Sequence, residues 1–539
     1  MLLDKSKIII LLLLGSIIVF GFLSGCALNR KNTDHGTKVQ DVETTEAFDH
    51  NKPIDISMFL PSRLADALYS SETLTFKKLA KETNTKLSIH TVVSSEAKDK
   101  FDVIVTSGEM PDIMAGTLSD MNSFGISGAF IPLNDLIEEY APNLKHYLID
   151  NKEVLSQTVA SDGNIYGVPM LTAIHTAMGY CIRKDWLDKL SLDIPVTVDD
   201  WYNVLTAFKN HDLNGNGIGA VTPLILDRTW ENYYMNFADA WGIELNGNGD
   251  YWMIKDDQVV FAPILSETKE FLKTMAKWYQ EGLIDSEFIM RENTVNYHIL
   301  NNKAGAACYW VGYVASQNKN VEVLKNEPDT NWQVVQPPVL VEGQEPKTFS
   351  QQSAVGGYAW GISSTTSTEE IMAILKIFDY VYSDEGSMLF NFGVEGDSYK
   401  VVEGTPTYTE KVVNSEEGII NWIRSNGMQP LIGMRQLPEY EAASCLNDDV
   451  RKQLFYYVNN NYFYPYNPSL VLKEEEKDLY DLKMSPILTY VNEEILKFLV
   501  GVKPIDQFEN FVARIQEMGI EDMLLLKNQA YDRYKILTR

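Results

Sequence analysis

The order of apolar and polar positions along the chain predicts alternating strands and helices. Residues 54–59 and 86–93 alternate apolar with polar side chains, which is typical of strands. A helical pattern lies between them near 73–82, and another over 95–106 precedes a short predicted strand at 111–114. Because strands separated by helices pair in parallel through right-handed crossovers, this part of the chain predicts an α/β fold.

Helical patterns become more frequent further along the chain. An Asp-Gly turn inside 162–170 leads into a short strand that ends at a proline, which predicts a hairpin and a crossing point. Two amphipathic helices are expected over 183–209, and another over 267–280. The C-terminal third is mainly helical in pattern, with Pro- and Tyr-rich loops around 456–468.

The first residues of the chain have the pattern of an export signal. Lys5 and Lys7 precede an apolar run of 16 residues from Ile8 to Leu23. A helix that spans a bilayer needs roughly 20 such residues, so this run predicts the core of a signal peptide. An uncleaved anchor helix is the alternative. Both alternatives place the rest of the chain outside the cytoplasmic membrane.

The apolar run ends in Leu23-Ser24-Gly25-Cys26, which resembles the lipobox of bacterial lipoproteins. The resemblance implies cleavage before Cys26 and acylation of that residue, with 1–25 as the lipoprotein signal peptide. Residues 26–53 are polar and poor in bulky apolar side chains, so they predict a flexible tether. We therefore expect a protein held on the outer face of the cell membrane by its N-terminal lipid.

Length and charge limit the possible classes. A chain of 539 residues exceeds the size of a single core, so two lobes or domains are expected. Acidic residues outnumber basic ones by 74 to 46, a net charge of −28, which disfavours nucleic acid as a partner. The three cysteines after Cys26 cannot form a complete disulfide framework, so we expect small buried hydrophobes.

Six segments in order carry a resemblance to one family. They are SGEMPDIM at 107–114, DGNIYGVPM at 162–170, IRKDWLDKLSLDIPVTVDDWYNVLTAFKNHDLNGNG at 182–217, DDQVVFAPI at 256–264, WYQEGLIDSEF at 278–288 and NFGVEGDSY at 391–399. The chain resembles the extracellular solute-binding proteins (family 1) of carbohydrate ABC transporters. The similar type is the Gram-positive lipoprotein group related to alginate-oligosaccharide-binding proteins.

The resemblance implies a periplasmic-binding-protein-like α/β fold. Two α/β lobes would be joined by a hinge, with a ligand cleft between them. The lobe boundaries expected on this basis are 54–165 plus 304–360 for the N-terminal lobe and 166–303 plus 361–539 for the C-terminal lobe.

Aromatic side chains beside turns are the candidate sugar contacts. Sugar rings have apolar faces and a rim of hydroxyls, so a site for them needs flat aromatic surfaces and a few polar groups. Three tryptophans are expected to stack on sugar, tyrosines to assist them, and two polar residues to lie at the cleft edge. Ordinary core packing is the alternative for each aromatic residue. The candidates are Trp230, Tyr233, Trp310, Tyr313, Tyr358, Trp360, Ser107 and Glu109.

One loop has the front half of an EF-hand-like calcium motif, with oxygen-bearing groups at positions 1, 3, 5 and 7 and Gly217 at position 6. The candidate ligands are Asp212, Asn214, Asn216 and Ile218. Members of the family carry acidic residues where this chain has Ala220 and Val221. A weak structural calcium site and a metal-free turn both remain open, and no other cofactor is expected.

The expected function is capture of a carbohydrate, expected to be an oligosaccharide, by lobe closure and its delivery to ABC permease subunits. We expect no enzymatic activity, because no G-x-S-x-G, Walker-type or nucleophilic cysteine motif is present in the sequence. A secreted glycoside-active enzyme is the alternative, since two suitable carboxylates can be imagined among so many acids. A sugar-sensing lipoprotein and a peptide or lipid ligand are further alternatives.

Overall fold

The computed structural model describes residues 52–65, 67–173, 178–226, 233–245, 250–290, 294–349, 353–444, 448–465, 467–468 and 470–538. The strands are β1 Ile54–Ser62, β2 Thr85–Val93, β3 Ile113–Thr117, β4 Val168–Leu171, β5 Met178–Arg183, β6 Thr222–Ile225, β7 Trp252–Lys255, β8 Gln258–Phe261, β9 Ala304–Trp310, β10 Trp332–Val335, β11 Val355–Ile362, β12 Tyr399–Val402 and β13 Thr405–Tyr408.

Helices form most of the remaining described structure. They are α1 Leu74–Thr83, α2 Ala97–Ser107, α3 Leu118–Ile126, α4 Asn134–Tyr140, α5 Pro142–Leu144, α6 Lys152–Thr158, α7 Lys184–Leu190, α8 Val198–Asn210, α9 Ser266–Gln280, α10 Thr294–Leu300, α11 Val311–Ser316, α12 Val321–Asn326, α13 Thr368–Tyr382, α14 Asp384–Phe392, α15 Glu410–Val413, α16 Ile419–Ser425, α17 Glu439–Ser444, α18 Asp448–Leu454, α19 Tyr456–Asn459, α20 Glu474–Leu499, α21 Phe508–Glu517 and α22 Ile520–Thr538.

The first lobe is built on a sheet of five strands in the order β2-β1-β3-β11-β4. The strands β1, β2 and β3 run parallel, whereas β11 runs antiparallel to both β3 and β4. Helix α13 packs its apolar face against this sheet through Ile374, Ile377 and Phe378. Its N-terminus is closed by a capping box between Ser367 and Glu370, which satisfies backbone N–H groups that the first turn leaves without partners.

The second lobe is built on a sheet of four strands in the order β10-β5-β9-β6. The strand β9 pairs antiparallel with β5 and parallel with β6. Its small residues let helix α8 approach closely, because a Cβ atom at Gly305 would lie 2.5 Å from the ring of Phe208. A capping box of Thr197 and Asp200 starts α8 and directs its apolar face into this core.

The chain crosses from one lobe to the other three times. The crossings lie between β4 and β5, between β10 and β11, and between α17 and α18. Helices α20 to α22 extend the core of the second lobe. Helix α22 also packs against α6 of the first lobe, so it contacts both lobes.

The division of the chain between the lobes differs from the expected one. Strand β9 was expected in the first lobe but lies inside the second sheet, where its small residues pair with β5 and β6. Helices α13 and α14 were expected in the second lobe but pack in the core of the first. The reason is that β11 lies inside the first sheet, so the helices that follow it fall on that sheet's face.

Candidate ligand-binding cleft

In the first lobe, several strand ends meet at one edge of the sheet. The parallel strands β1 and β3 end at Ser62 and Thr117, and Thr117 pairs with Tyr358 near the start of β11. The end of β4 at Leu171 pairs with Val355 and lies at the same edge. Ligands of open α/β sheets bind beyond the carboxyl ends of parallel strands, so this edge is the candidate binding edge.

The second lobe presents a matching edge. Strand β9 ends at Trp310, which pairs with Met178 at the start of β5, and β6 ends nearby at Ile225. Strand β10 ends at Val335, which pairs with Tyr180. The connections from β4 to β5 and from β10 to β11 therefore run from one edge to the other, and the candidate cleft lies between these edges.

Three of the predicted aromatic contacts lie at the two edges. Trp310 closes β9 and is 37% exposed although it is a large apolar residue. Tyr313 lies one turn later in α11, half-buried and edge-on to Tyr309 at 5.7 Å. Tyr358 is partly buried at the first-lobe edge. Solvent-accessible aromatic rings at the mouth of a cleft are suited to stack on the apolar face of a sugar.

Trp360, the predicted third platform, belongs to the core of the first lobe. It is fully buried, and its ring stacks on Phe378 with centroids 4.5 Å apart. Gly433 packs against the indole so closely that a Cβ atom there would lie 2.8 Å from it. The prediction that Trp360 contacts ligand is therefore wrong for this arrangement, because two residues beyond Tyr358 the strand has already entered the interior.

Ser107 and Glu109 lie at the opposite edge of the first sheet, and both are exposed. The loop that carries them leads from α2 into the amino end of β3, whereas the cleft lies at the carboxyl end. Ser107 Oγ donates to the carbonyl of Ile104 at 2.7 Å and accepts from the N–H of Glu109 at 3.1 Å. These bonds close the C-terminal turn of α2. Ser107 and Glu109 therefore do not lie at the cleft edge, where they were expected from the sequence.

Two predicted contacts follow β6 in sequence. Trp230 lies outside the described residues. Tyr233 is the first residue of a 3₁₀ helix over Tyr233–Trp241, and its side chain also lies outside the described part. The prediction that they contact ligand stays a prediction.

Sequence reasoning missed Asp239, a fully buried carboxylate beside the β10–β11 connection. It accepts hydrogen bonds from Thr348 Oγ1 at 2.5 Å, the N–H of Phe349 at 3.3 Å and Tyr180 Oη at 3.1 Å. Burial raises the pKa of Asp239 to about 7. Because Thr348 and Phe349 belong to a segment that crosses between the lobes, Asp239 fixes one end of the hinge to the second lobe. No local pattern distinguishes it from other acids in aromatic-rich helices.

Arg63 was also missed, and it directly follows β1 at the cleft edge of the first lobe. Its Nε donates to the carbonyl of Gln429 at 3.1 Å. Burial lowers the pKa of nearby Arg424, and the positive charge of Arg63 lowers it further. A single arginine after a strand is a weak sequence signal for a binding site. Only the parallel pairing of β1 and β3 shows that Arg63 lies at the cleft edge.

The predicted calcium loop connects α8 to β6, at the end of the second sheet away from the cleft. Asn214 Nδ2 donates to the carbonyl of Asn302 at 3.1 Å, and Asn214 Oδ1 accepts from the N–H of Asn216 at 3.1 Å. Asp212 and Ile218 are exposed. With one carboxylate and no acid at position 220 or 221, the donor set fits a strong calcium site poorly.

Two α/β lobes, three crossing segments and aromatic residues at facing edges define a two-lobed binding protein of the periplasmic-binding-protein-like type. The chain belongs to the bacterial extracellular solute-binding protein family, which it matches over residues 69–388. The fold class and the family predicted from sequence are both confirmed. In the described residues, no helix is long and apolar enough to cross a membrane.

Similar proteins share most of this chain. The fructooligosaccharide ABC transporter substrate-binding protein FusA of Streptococcus pneumoniae is 26% identical over 502 residues, which is 86% of this chain and 88% of FusA. Lipoprotein LipO of Bacillus subtilis is 29% identical over 363 residues, 64% of this chain and 67% of LipO. The crystal structure of alginate-binding protein AlgQ2 without calcium ion superposes with a TM-score of 0.71 at 26% identity, covering 89% and 98% of the two chains.

Proposed function

We propose that this protein is the lipid-anchored substrate-binding component of an ABC importer, and that it captures an oligosaccharide by closure of its two lobes. The observation that carries the proposal is the exposed Trp310 at the cleft edge of one lobe together with Tyr358 at the cleft edge of the other. The relatives support the ligand class, since FusA is named for fructooligosaccharides and AlgQ2 for alginate. The delivered sugar then passes to permease subunits.

Closure follows from where the aromatic residues lie. A sugar between the edges contacts both lobes only when the lobes approach each other, so its binding favours the closed state. Trp310 supplies a flat apolar surface from the second lobe, and Tyr358 and Arg63 offer a ring and a hydrogen-bond donor from the first. The closed form is the one that a permease would recognise.

The ligand class is tested by calorimetry with fructo-oligosaccharides and alginate oligosaccharides. Trp310→Ala is expected to weaken binding of the recognised sugar at least about tenfold, because about 1.4 kcal/mol of stacking corresponds to that factor. Tyr140→Ala is the matched control, since Tyr140 is an exposed ring on α4 away from the cleft, and it should bind as the parent does. Unchanged binding by Trp310→Ala, or a screen that finds only peptides, would contradict the proposal.

The enzyme alternative has its own test. Incubation with the recognised oligosaccharide should release no reducing ends, whereas catalytic turnover would replace the binding role with a hydrolytic one. X-ray scattering tests closure independently, because the radius of gyration should fall at saturating ligand.

The lipid anchor belongs to the same proposal. Acylation of Cys26 would keep the protein at the outer face of the membrane, and the relative LipO is named a lipoprotein. Cys26→Ser is expected to release the protein into the medium. Retention of this variant in the membrane fraction would favour an uncleaved anchor helix.

For the loop of Asp212, Asn214, Asn216 and Ile218 we propose a structural turn with at most weak affinity for calcium. Asp212 is its single carboxylate, and Asn214 already bonds to neighbouring backbone. Calorimetric titration of chelated protein with calcium should give dissociation constants no tighter than about 1 mM. Micromolar binding that is lost in Asp212→Asn would contradict this.

A further inference from the structure

A cluster of three metal-ligating side chains lies in the second lobe, outside the cleft. The ligand atoms of Asp285, Glu287 and His298 all lie within 4.8 Å of one another. Asp285 is 5% exposed and His298 is 7% exposed, whereas Glu287 is open to solvent. Two donors are thus held in the interior and the third can reach them from the surface.

The backbone fixes the position of Asp285. Its N–H donates to the carbonyl of Leu224 in β6 at 3.0 Å, and Asp285 Oδ1 accepts from the N–H of Glu287 at 3.0 Å. This second bond starts the 3₁₀ turn over Ser286–Met290. The other carboxylate oxygen, Oδ2, lies 3.5 Å from His298 Nε2 on helix α10.

The imidazole of His298 presents one nitrogen to this cluster. Its Nδ1 lies 3.4 Å from Thr222 Oγ1, the hydroxyl at the start of β6. Its Nε2 is buried and has no hydrogen-bond partner among the described residues. A buried polar nitrogen without a partner is uncommon and requires an explanation. When Nδ1 carries the proton and Thr222 accepts it, Nε2 keeps a lone pair 3.5 Å from Asp285 Oδ2 and can bind a metal.

The donor set selects the metal class. One imidazole nitrogen and two carboxylate oxygens are ligand types that zinc binds, and three protein ligands leave the fourth position of a tetrahedral site for water. Calcium and magnesium prefer oxygen ligands alone, so this cluster is unsuited to them. Bonds of about 2.1 Å in a tetrahedral site bring ligand atoms to about 3.4 Å from one another. The exposed side chain of Glu287 can rotate to close the remaining gap.

We propose that Asp285, Glu287 and His298 bind one Zn²⁺ ion. The site links α10 to the turn after α9 and to β6. Thr222 pairs with Ala304 at the amino end of β9, whereas the cleft lies at its carboxyl end, where Trp310 stands. Zinc therefore stabilises the second lobe without contacting the sugar, and the proposal is independent of the proposed transport function.

The test uses the full mature chain after removal of metals with a chelator. Calorimetric titration with zinc chloride should show one ion per chain, and zinc should raise the melting temperature by mass action. Glu287→Gln removes a ligand at an exposed position, so it should keep the fold and weaken zinc binding at least about tenfold. His298→Gln should weaken it further.

Two variants serve as controls. His211→Gln removes an exposed histidine at the end of α8, and Asp212→Asn removes the carboxylate of the predicted calcium loop; both should bind zinc as the parent does. The proposal is overturned if the parent shows no heat with zinc at concentrations up to about 1 mM. It is also overturned if Glu287→Gln binds zinc unchanged, because the ion would then lie elsewhere. Sugar affinity measured with and without zinc should be equal.

Discussion

Asp239 shows how one buried carboxylate can connect the hinge to a lobe. Its oxygens receive the hydroxyl of Thr348, the N–H of Phe349 and the hydroxyl of Tyr180. The three donors favour the charged form, but the loss of hydration on burial is the larger effect and raises the pKa to about 7. The folded protein therefore holds this proton more tightly than the unfolded chain, where the carboxyl titrates near 3.8.

This difference predicts a pH dependence of stability. The tighter proton binding of Asp239 adds to the free energy of unfolding. This addition is fully present below about pH 4 and is lost as pH rises through about 7, with a slope of at most about 1.4 kcal/mol per pH unit. Asp239→Asn should remove that slope, so the free energy of unfolding of the variant relative to the parent should rise between pH 4 and 7. Urea unfolding across this range measures it. Asp188→Asn, at an exposed site, should keep the pH dependence of the parent's free energy of unfolding. If Asp188→Asn showed the same rise relative to the parent, the slope could not be assigned to Asp239.

Replacement of Trp310 is predicted to weaken ligand binding, whereas replacement of Trp360 is predicted to lower stability. Trp310 is exposed at the cleft edge, and Trp360 is stacked in the core. Trp360→Ala should lower the free energy of unfolding by about 3–5 kcal/mol, because it leaves a large cavity beside Phe378. Trp310→Ala should lower it by clearly less, because Trp310 is 37% exposed whereas Trp360 is fully buried. Denaturant melts of both variants check this, and equal losses of stability would contradict the separation of roles.

Strands β1 and β2 follow from local pattern, whereas the places of strand β9 and of the loop before β3 do not. The runs at 54–59 and 86–93 were predicted as strands and coincide with β1 and β2, because alternation along a strand is a local property. The lobe to which β9 belongs is decided by pairing with β5 and β6, which are distant in sequence. The edge of the sheet at which Ser107 lies depends likewise on strand direction.

The spacing of the proposed zinc ligands over 285–298 follows no standard motif, so only the folded structure reveals that cluster.

The contact between β9 and α8 gives an element-scale prediction. Gly305→Ala should lower the free energy of unfolding by about 1–3 kcal/mol, because the new Cβ atom would lie 2.5 Å from Phe208 and 3.0 Å from the carbonyl of Pro223. Gly357→Ala is the matched control in β11, where an added Cβ atom meets no other atom within 4 Å. Urea melts of the two variants should therefore differ. Equal stabilities would show that the α8–β9 packing adjusts freely.

At the scale of the whole molecule, the arrangement of the lobes depends on more than the three crossing segments. Helix α22 belongs to the second lobe, where Asn528 hydrogen-bonds with both backbone groups of Val259 in β8. Near its C-terminus, Tyr534 shares a hydrogen bond with Ser156 of helix α6 in the first lobe. The helix therefore adds a contact between the lobes that a hinge rotation must break or shift, and no pattern in the sequence indicates it, since α6 and α22 are separated by most of the chain.

Loss of this contact should change the population of lobe arrangements. Tyr534→Ala removes a stabilising interaction that exists only in the arrangement described here, so the ligand-free protein should shift towards other arrangements. Its radius of gyration, measured by X-ray scattering, should therefore depart further from the value calculated for this structure than that of the parent does. Leu525→Ala is the control on the same helix, because its side chain is 60% exposed. If both variants scatter as the parent does, the α6–α22 contact does not restrain the hinge and the crossing segments alone set the opening of the cleft.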